Sequence, residues 1–467
     1  MSGRASAWRA DVARIVPLAW PVLVGQIAVL MFATVDTVLV ARYSANDLAA
    51  LAVGGAAYMT VFIGLMGVVL AVSPIVGQLY GAKRFEAAGD QLHQAVWLAL
   101  GLTLVGSTLL FFPQPFIALS QAKPEVADKV RGYLMALAFS LPAGLLFAAF
   151  RGFNIAVSRP KAVMAIQLCG LALKVPLSAL LVYGAGPVPS FGVAGCGVAT
   201  ALAMWLQVAV AWQVIRRDRF YAPFSLFGHG LRPPNRSALL TQLKLGVPMG
   251  ASIMVEVVGF TCMAFFISRI SATAVAGHQL AANLVSLMFM VPLSLSNASS
   301  TLVAQSIGAD DLRDARHMGW RGLQVAALVA LVLGTAVFFG REGVVRLYTG
   351  NEIIVAAALP LLAWVPLFHF VDAMQIASAF VLRAWRIATV PLVIYATSIW
   401  GMGVGGGYVL AFNVGGAVPA ALHGARGFWI ASTAGLGAAA LGLTLFLVWV
   451  LRQQRQQQPR EAMPPAG

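Results

Sequence analysis

Twelve apolar runs, each long enough to cross a bilayer, follow one another along the chain. They lie at residues 15–40, 52–76, 91–112, 132–157, 162–183, 192–215, 245–268, 277–306, 317–340, 355–382, 388–411 and 427–450. A helix rises about 1.5 Å per residue, so about 20 apolar residues cross a hydrocarbon core of about 30 Å. Inside lipid every backbone N–H and C=O must be satisfied within the protein, which leaves helices or a closed barrel. Barrel strands alternate apolar and polar residues, and these runs do not. The expected fold is therefore an all-α integral membrane protein with twelve transmembrane helices. Only 10% of the 467 residues are charged, against about 25% in a soluble protein. The runs continue to the end of the chain, so no large soluble domain is expected.

The formal net charge of +15 could suggest a nucleic-acid partner, but its distribution argues against one. With both termini placed in the cytoplasm, 22 Lys and Arg fall on the cytoplasmic side, 8 fall outside, and Lys174 lies within a span. This asymmetry obeys the positive-inside rule. The basic residues then orient the chain in a cytoplasmic (inner) membrane and face anionic lipid. The first apolar run is too long for a signal peptide and has no evident cleavage site, so it reads as a retained helix. Cys169, Cys196 and Cys262 fall within spans without metal-ligand spacing, and packing is the expected role of each.

Residues 216–244 form the longest loop, basic and punctuated by Gly and Pro as a linker would be. The expected organisation is an N-terminal six-helix lobe (1–215), this cytoplasmic linker (216–244), a C-terminal six-helix lobe (245–451) and a disordered, Gln- and Pro-rich cytoplasmic tail (452–467). Sliding the chain on itself by 227 residues aligns Leu18–Ala82 with Leu245–Ala309 without a gap, with 14 identities in 65 positions. The matches include Pro21 with Pro248, Arg42 with Arg269, Ser44 with Ser271, and Gln78 with Gln305. Six spans per copy is an even number, so both copies enter the membrane from the same side. Parallel repeats of this kind are related by an axis along the membrane normal, and transporters built from them bind substrate between the halves.

Of sixteen acidic residues, three lie within apolar sequence: Asp36, Glu256 and Asp372. Glu256 is 12 residues after Lys244 and 13 before Arg269, which places it near the middle of the membrane. An ionised carboxylate there is costly unless paired, hydrated or protonated, and it usually marks an ion or substrate pathway. Asp372 sits 11 residues before Arg383 on a span of opposite direction, at similar depth. Two carboxylates at one depth can share a cation or a proton. A hydrogen bond that packs helices together is the plainer role for either acid.

Lys174, in the fifth span, is too deep to reach the interface and needs a partner. Asp36 is the one unassigned acid in its half, and a water-filled cavity is the alternative. Counted from the inner ends of their spans, the two residues differ by six positions, or about 9 Å of rise. His369 lies one helical turn from Asp372 and could relay protons, although a packed, hydrogen-bonded histidine is the more ordinary outcome. Pro74, Pro142, Pro176, Pro248, Pro292 and Pro366 fall within spans, where they shape or bend helices. No nucleotide-binding loop, metal-ligand cluster or nucleophile–base pair is evident.

The stretch PVLVGQIAVLMFATVDTVLV, with Pro21, Gln26 and Asp36, resembles the first helix of the multidrug and toxic compound extrusion (MATE) family. GVPMGASIMVEVVGF, with Glu256, resembles its seventh helix, and Gly277–Ala309 its eighth-helix signature. Asp372 falls where the NorM-type branch carries a tenth-helix aspartate. The resemblance covers nearly the whole chain. It implies export of bulky, mostly cationic small molecules in exchange for inward sodium ions or protons, by alternating access between two lobes. It also implies a cation site at Glu256 and Asp372, where sodium could bind, with Asp36 as a further coupling residue. Family members usually carry asparagines where this chain has Lys174 and Ser178. No enzyme activity and no cofactor beyond the coupling ion are expected, and the chain is expected to act as a monomer in the bilayer. The main alternative is a flippase for a lipid-linked anionic precursor on a related fold, which would want a basic cavity. An intramembrane hydrolase using the three acids is a third reading, without a recognisable catalytic pair.

Overall fold

The computed structural model describes residues 2–120, 123–227 and 230–457. Among them, twelve helices are long and apolar enough to cross a membrane. They are α1 (Ala7–Tyr43), α2 (Ala45–Gly81), α3 (Phe85–Phe111), α4 (Pro124–Ala156), α5 (Pro160–Tyr183), α6 (Val193–Arg217), α7 (Arg236–Ser268), α8 (Ala272–Gly308), α9 (Leu312–Tyr348), α10 (Val365–Ala384), α11 (Thr389–Ala411) and α12 (Ala425–Gln454). No β-strand occurs among the described residues. The last helix continues to Gln457, so residues 452–457 of the expected tail are helical. The rest of that tail, 458–467, lies outside the described residues.

Two prolines account for two breaks. The second span divides into Ala45–Val69 and Val72–Gly81, and the break at Leu70 is four residues before Pro74. The expected tenth span, 355–382, is two helices, Glu352–Leu362 and α10, and the first ends four residues before Pro366. A proline ring clashes with the carbonyl four residues earlier and supplies no N–H to it. Pro142, Pro176, Pro248 and Pro292 instead lie inside unbroken helices. In α11, residues Ala396–Gly405 are π-helical. That glycine-rich stretch packs against Gly435 of α12, where an added Cβ would lie 2.7 Å from the Ser398 carbonyl oxygen.

The chain gathers into two compact units, Val16–Val258 and Met1–Ile15 with Gly259–Gly467. In the first, α4 is the central helix. It packs on α2, α3 and α6 and carries Leu134, Leu137, Leu141 and Phe153 into the core beside Val61. In the second, α10 holds the equivalent place, packed on α8, α9 and α12. The fourth span of each sequence repeat is thus the hub of its unit. Large apolar side chains such as Leu104 and Phe339 remain exposed, as lipid-facing positions require.

The units do not divide in the 216–244 linker, and the side chains give the reason. The linker is docked rather than loose. Phe224 is buried against Tyr80, Phe85 and Phe153. The Gln94 amide donates to the Pro233 carbonyl at 3.0 Å, and the Trp97 indole donates to the Arg232 carbonyl at 2.9 Å. Asp218, between α6 and α7, is held below the usual carboxylate range by the Phe220 amide and the Arg159 guanidinium.

The first part of α7 then packs backbone to backbone on α2. A Cβ on Gly250 would lie 2.6 Å from the Gly64 carbonyl oxygen, and one on Gly246 would lie 2.4 Å from the Val68 carbonyl oxygen. At the other end, the start of α1 is tied to α9. The Arg14 guanidinium donates twice to Asp314, at 2.8 and 2.9 Å. Arg321 Nε donates to Asp11 at 2.6 Å, with His317 Nε2 at 2.9 Å from the same oxygen.

Small residues allow this close approach of helices in lipid, where no hydrophobic force brings them together. Gly250→Val is therefore expected to lower unfolding stability by about 1–3 kcal/mol. Gly101→Val is expected to change it little, because a Cβ there meets nothing within 4 Å. Thermal unfolding of both variants in detergent measures the difference.

Candidate functional site

The structure brings Lys174 onto Asp36. Lys174 is fully buried and Asp36 is 5% exposed. Lys174 Nζ donates to both carboxylate oxygens of Asp36, at 2.9 Å each, and to Thr200 Oγ1 at 2.6 Å. An ammonium has three N–H donors, and three oxygens from α1 and α6 receive them. The Thr200 hydroxyl spends its own proton on the Cys196 carbonyl at 2.9 Å, which leaves its lone pairs for the lysine. Ser178, one turn after Lys174 on α5, donates to Asp36 Oδ1 at 3.3 Å. The Phe32 ring lies 5.2 Å from Nζ, a distance at which a ring face attracts a cation.

The six-residue offset counted from the expected inner ends disappears because the two helices are level at their Tyr43 and Tyr183 ends. Asp36 is seven residues before Tyr43 and Lys174 is nine before Tyr183, a difference of about 3 Å of rise. The Tyr43 and Tyr183 rings meet edge to face at 6.0 Å, and the Tyr183 hydroxyl donates to the Leu39 carbonyl at 2.8 Å.

Asp372, in the second unit, has a different environment. It is 3% exposed and accepts a hydrogen bond from the neutral Gln375 amide at 2.9 Å. Gln375 in turn accepts from the Tyr395 hydroxyl of α11. His369 is fully buried one turn earlier, but the structure does not join it to Asp372. Among the described residues neither of its ring nitrogens has a hydrogen-bond partner. Trp429 and His278 nearby also carry an unpartnered ring nitrogen each. Their rings lie 6.0 Å apart, and the Phe368 ring lies tilted 5.3 Å from Trp429. Glu256 is half-buried on α7 and falls in the first unit, two residues before its boundary. Asp372 belongs to the second. Among the described residues no three His, Cys, Asp or Glu side chains gather as a metal site.

Thr200, Gln375 and Tyr395 were not singled out from the sequence. A signal exists for the first: Cys196 and Thr200, like Lys174 and Ser178, are four residues apart and so share one face of an apolar helix. Gln375 stands in the same relation, three residues after Asp372. Tyr395 has no such mark.

The Asp36–Lys174 pair predicts a particular pattern of stability. Asp36→Asn or Lys174→Met alone leaves one buried charge without its partner, and each is expected to cost about 3–5 kcal/mol. The double variant is expected to be milder than either single change. Thermal unfolding of the three variants in detergent is the check, and a double variant as unstable as the two losses together would contradict a working pair.

Comparison with known proteins matches the MatE family profile twice, at residues 21–180 and 248–409. The two matches begin at Pro21 and Pro248, the prolines aligned by the 227-residue shift. The "Probable multidrug resistance protein NorM" of Aromatoleum aromaticum is 40% identical, over 93% of this chain and 92% of the relative. The "Multidrug resistance protein NorM" of Vibrio cholerae is 32% identical, over 96% and 97%. The crystal structure of the eukaryotic MATE transporter AtDTX14 superposes with a TM-score of 0.84 at 18% identity, over 96% of this chain and 99% of that one. A MOP superfamily transporter from Pyrococcus furiosus gives the same score and identity over 95% and 96%. The two-fold profile match and the near full-length relatives carry the same conclusion as the twelve spans: the chain belongs to the MatE family and is a multi-pass membrane transporter, not an enzyme.

Proposed function

We propose that this protein is a secondary antiporter that exports bulky, mostly cationic compounds in exchange for inward sodium ions or protons. The observation that carries this reading is Asp372. It is a carboxylate buried in a membrane-spanning helix, and the hydrogen bond it accepts comes from a neutral amide. Ionised, it is costly without a cation. Loaded with a sodium ion or a proton it is neutral, and its attraction for a cationic compound falls. Glu256, 12 residues after Lys244 and 13 before Arg269, is the second coupling residue. Cation and compound then compete for the same carboxylates, and the compound leaves when the cation arrives. The relatives' names as multidrug resistance proteins support the substrate class.

The working parts are two six-helix lobes, 1–215 and 245–451, that alternate in access. The Arg14–Asp314 and Asp11–Arg321 ion pairs and the Gly250–Gly64 contact join residues of different repeats, and they are the contacts that alternation has to part. The excess of Lys and Arg on one side supports an inner-membrane protein with both termini cytoplasmic. A flippase for an anionic lipid-linked precursor is less well supported. The lysine deepest in a span, Lys174, is already committed to Asp36.

Efflux from proteoliposomes, with sodium and proton gradients imposed separately, tests the reading. Glu256→Gln keeps size and hydrogen bonding but removes the charge. It is expected to insert and fold normally while gradient-driven efflux falls to the protein-free background. Asp372→Asn is expected to impair coupling nearly as much, and the double variant to add little, because groups that act as a unit are not additive. Undiminished efflux by Glu256→Gln would refute its coupling role, and losses that multiply would assign the two acids separate tasks.

A further inference from the structure

We propose that Lys174 is a built-in cation: its ammonium holds the Asp36 carboxylate so that Asp36 takes up no coupling ion from solution. The inference rests on the antiporter reading for its meaning, but not for its test. Asp36 is one of three acids in apolar sequence, and Lys174 is in direct contact with it. The contact is complete on the lysine side. Both carboxylate oxygens and Thr200 Oγ1 occupy the three donors, and the Phe32 ring covers a further face.

A sodium ion entering this place would need the same oxygens, so it would have to displace an ammonium tethered to α5. A proton entering would neutralise Asp36 and leave the ammonium buried without a counter-charge. Both outcomes strand a charge in low dielectric. A lysine whose proton has moved onto the carboxylate leaves a neutral pair, and that form also holds no ion from solution. The burial of both side chains bars the remaining route, in which water compensates a separated pair.

The pair also has a mechanical role. Through one ammonium it joins the outer part of α1 to α5 and α6, with Ser178 as a second strut. A dissociable ion would make that joint conditional on loading. A covalently tethered one makes it permanent, and the region around Asp36 then moves as one body through the cycle.

The experiment counts cations on the purified full-length chain. Radioactive sodium bound at equilibrium and protons taken up, read with a pH indicator, are measured per chain. Wild type is compared with Asp36→Asn/Lys174→Met and with Lys174→Asn. The expected result is an equal count for wild type and the double variant, and one additional cation for Lys174→Asn, which frees the carboxylate. A double variant that binds one cation fewer than wild type overturns the proposal, because Asp36 would then be exchanging an ion. So does a Lys174→Asn variant that folds and gains none.

Thermal unfolding guards against loss of fold. Lys174→Asn should gain stability as sodium is raised or pH is lowered, since a ligand bound by the native state stabilises it, and the double variant should not. If Lys174→Asn cannot be recovered under any of these conditions, the comparison of wild type with the double variant still decides. A wild type that binds no cation and shows no gradient-driven efflux sinks the antiporter reading. In that case the gain of a cation by Lys174→Asn still supports the tethered ammonium.

Discussion

Lipid offers no hydrogen bonds, and the rest of this structure answers that one fact. The backbone answers by being helical wherever it crosses the membrane. Where prolines deny it a regular helix, at Leu70 and at Leu362, it breaks and restarts within a few residues. Around two of the buried acids the side chains answer by placing polar groups in closed sets. Lys174 finds three oxygens, and Asp372 finds an amide whose own oxygen is taken by a tyrosine. Helix contact cannot rely on hydrophobic force in this solvent, so Gly246 and Gly250 let backbones meet. The same constraint makes an intramembrane carboxylate informative. It is retained at a cost, and the cost points to a task.

Much of this was legible in the amino-acid order. Runs of apolar residues have an unambiguous meaning once they exceed the thickness of a bilayer, and all twelve reappear as helices, eleven of them longer than expected or nearly equal. The pairing of Lys174 with Asp36 was half legible: a deep lysine needs a partner and Asp36 was the one unassigned acid in its half, but a water-filled cavity stood equally open. Its geometry was less so. Depth counted from the inner ends misplaced the pair, since α1 extends well inward of Pro17 and the register is set at Tyr43 and Tyr183. The docking of the linker was hidden because Phe224 and Tyr221 sit among Gly, Pro and Arg, in a composition that usually means loose chain. The tie of Asp11 and Arg14 to α9 was hidden for another reason. Terminal charges flanking a span have an adequate explanation in orientation alone, and sequence offers nothing to distinguish an orienting charge from a paired one.

The two repeats share a plan and differ in their chemistry. In each unit the fourth span is the hub. The acids are not equivalent: the counterpart of Asp36 is Met263 and the counterpart of Glu256 is Val29. One half satisfies its acid internally, with Lys174. The other keeps Asp372 on a neutral partner. Duplication supplied the scaffold twice, and the titratable groups were then placed independently. A symmetric fold can therefore perform an asymmetric task.

The division of the compact units has a consequence for how the chain is made. The first unit includes the start of α7, so its packing is incomplete when the sixth helix leaves the ribosome and waits for Gly246 and Gly250. The opposite delay holds at the N-terminus. Asp11 and Arg14 are synthesised first, but their partners follow by 300 residues or more. Throughout that interval these charges lack the partners that hold them in the folded chain. Residues ahead of the first span are therefore captured by a helix made much later. The step that closes the second unit belongs to neither sequence repeat alone, and a truncated product ending before α9 would lack it entirely.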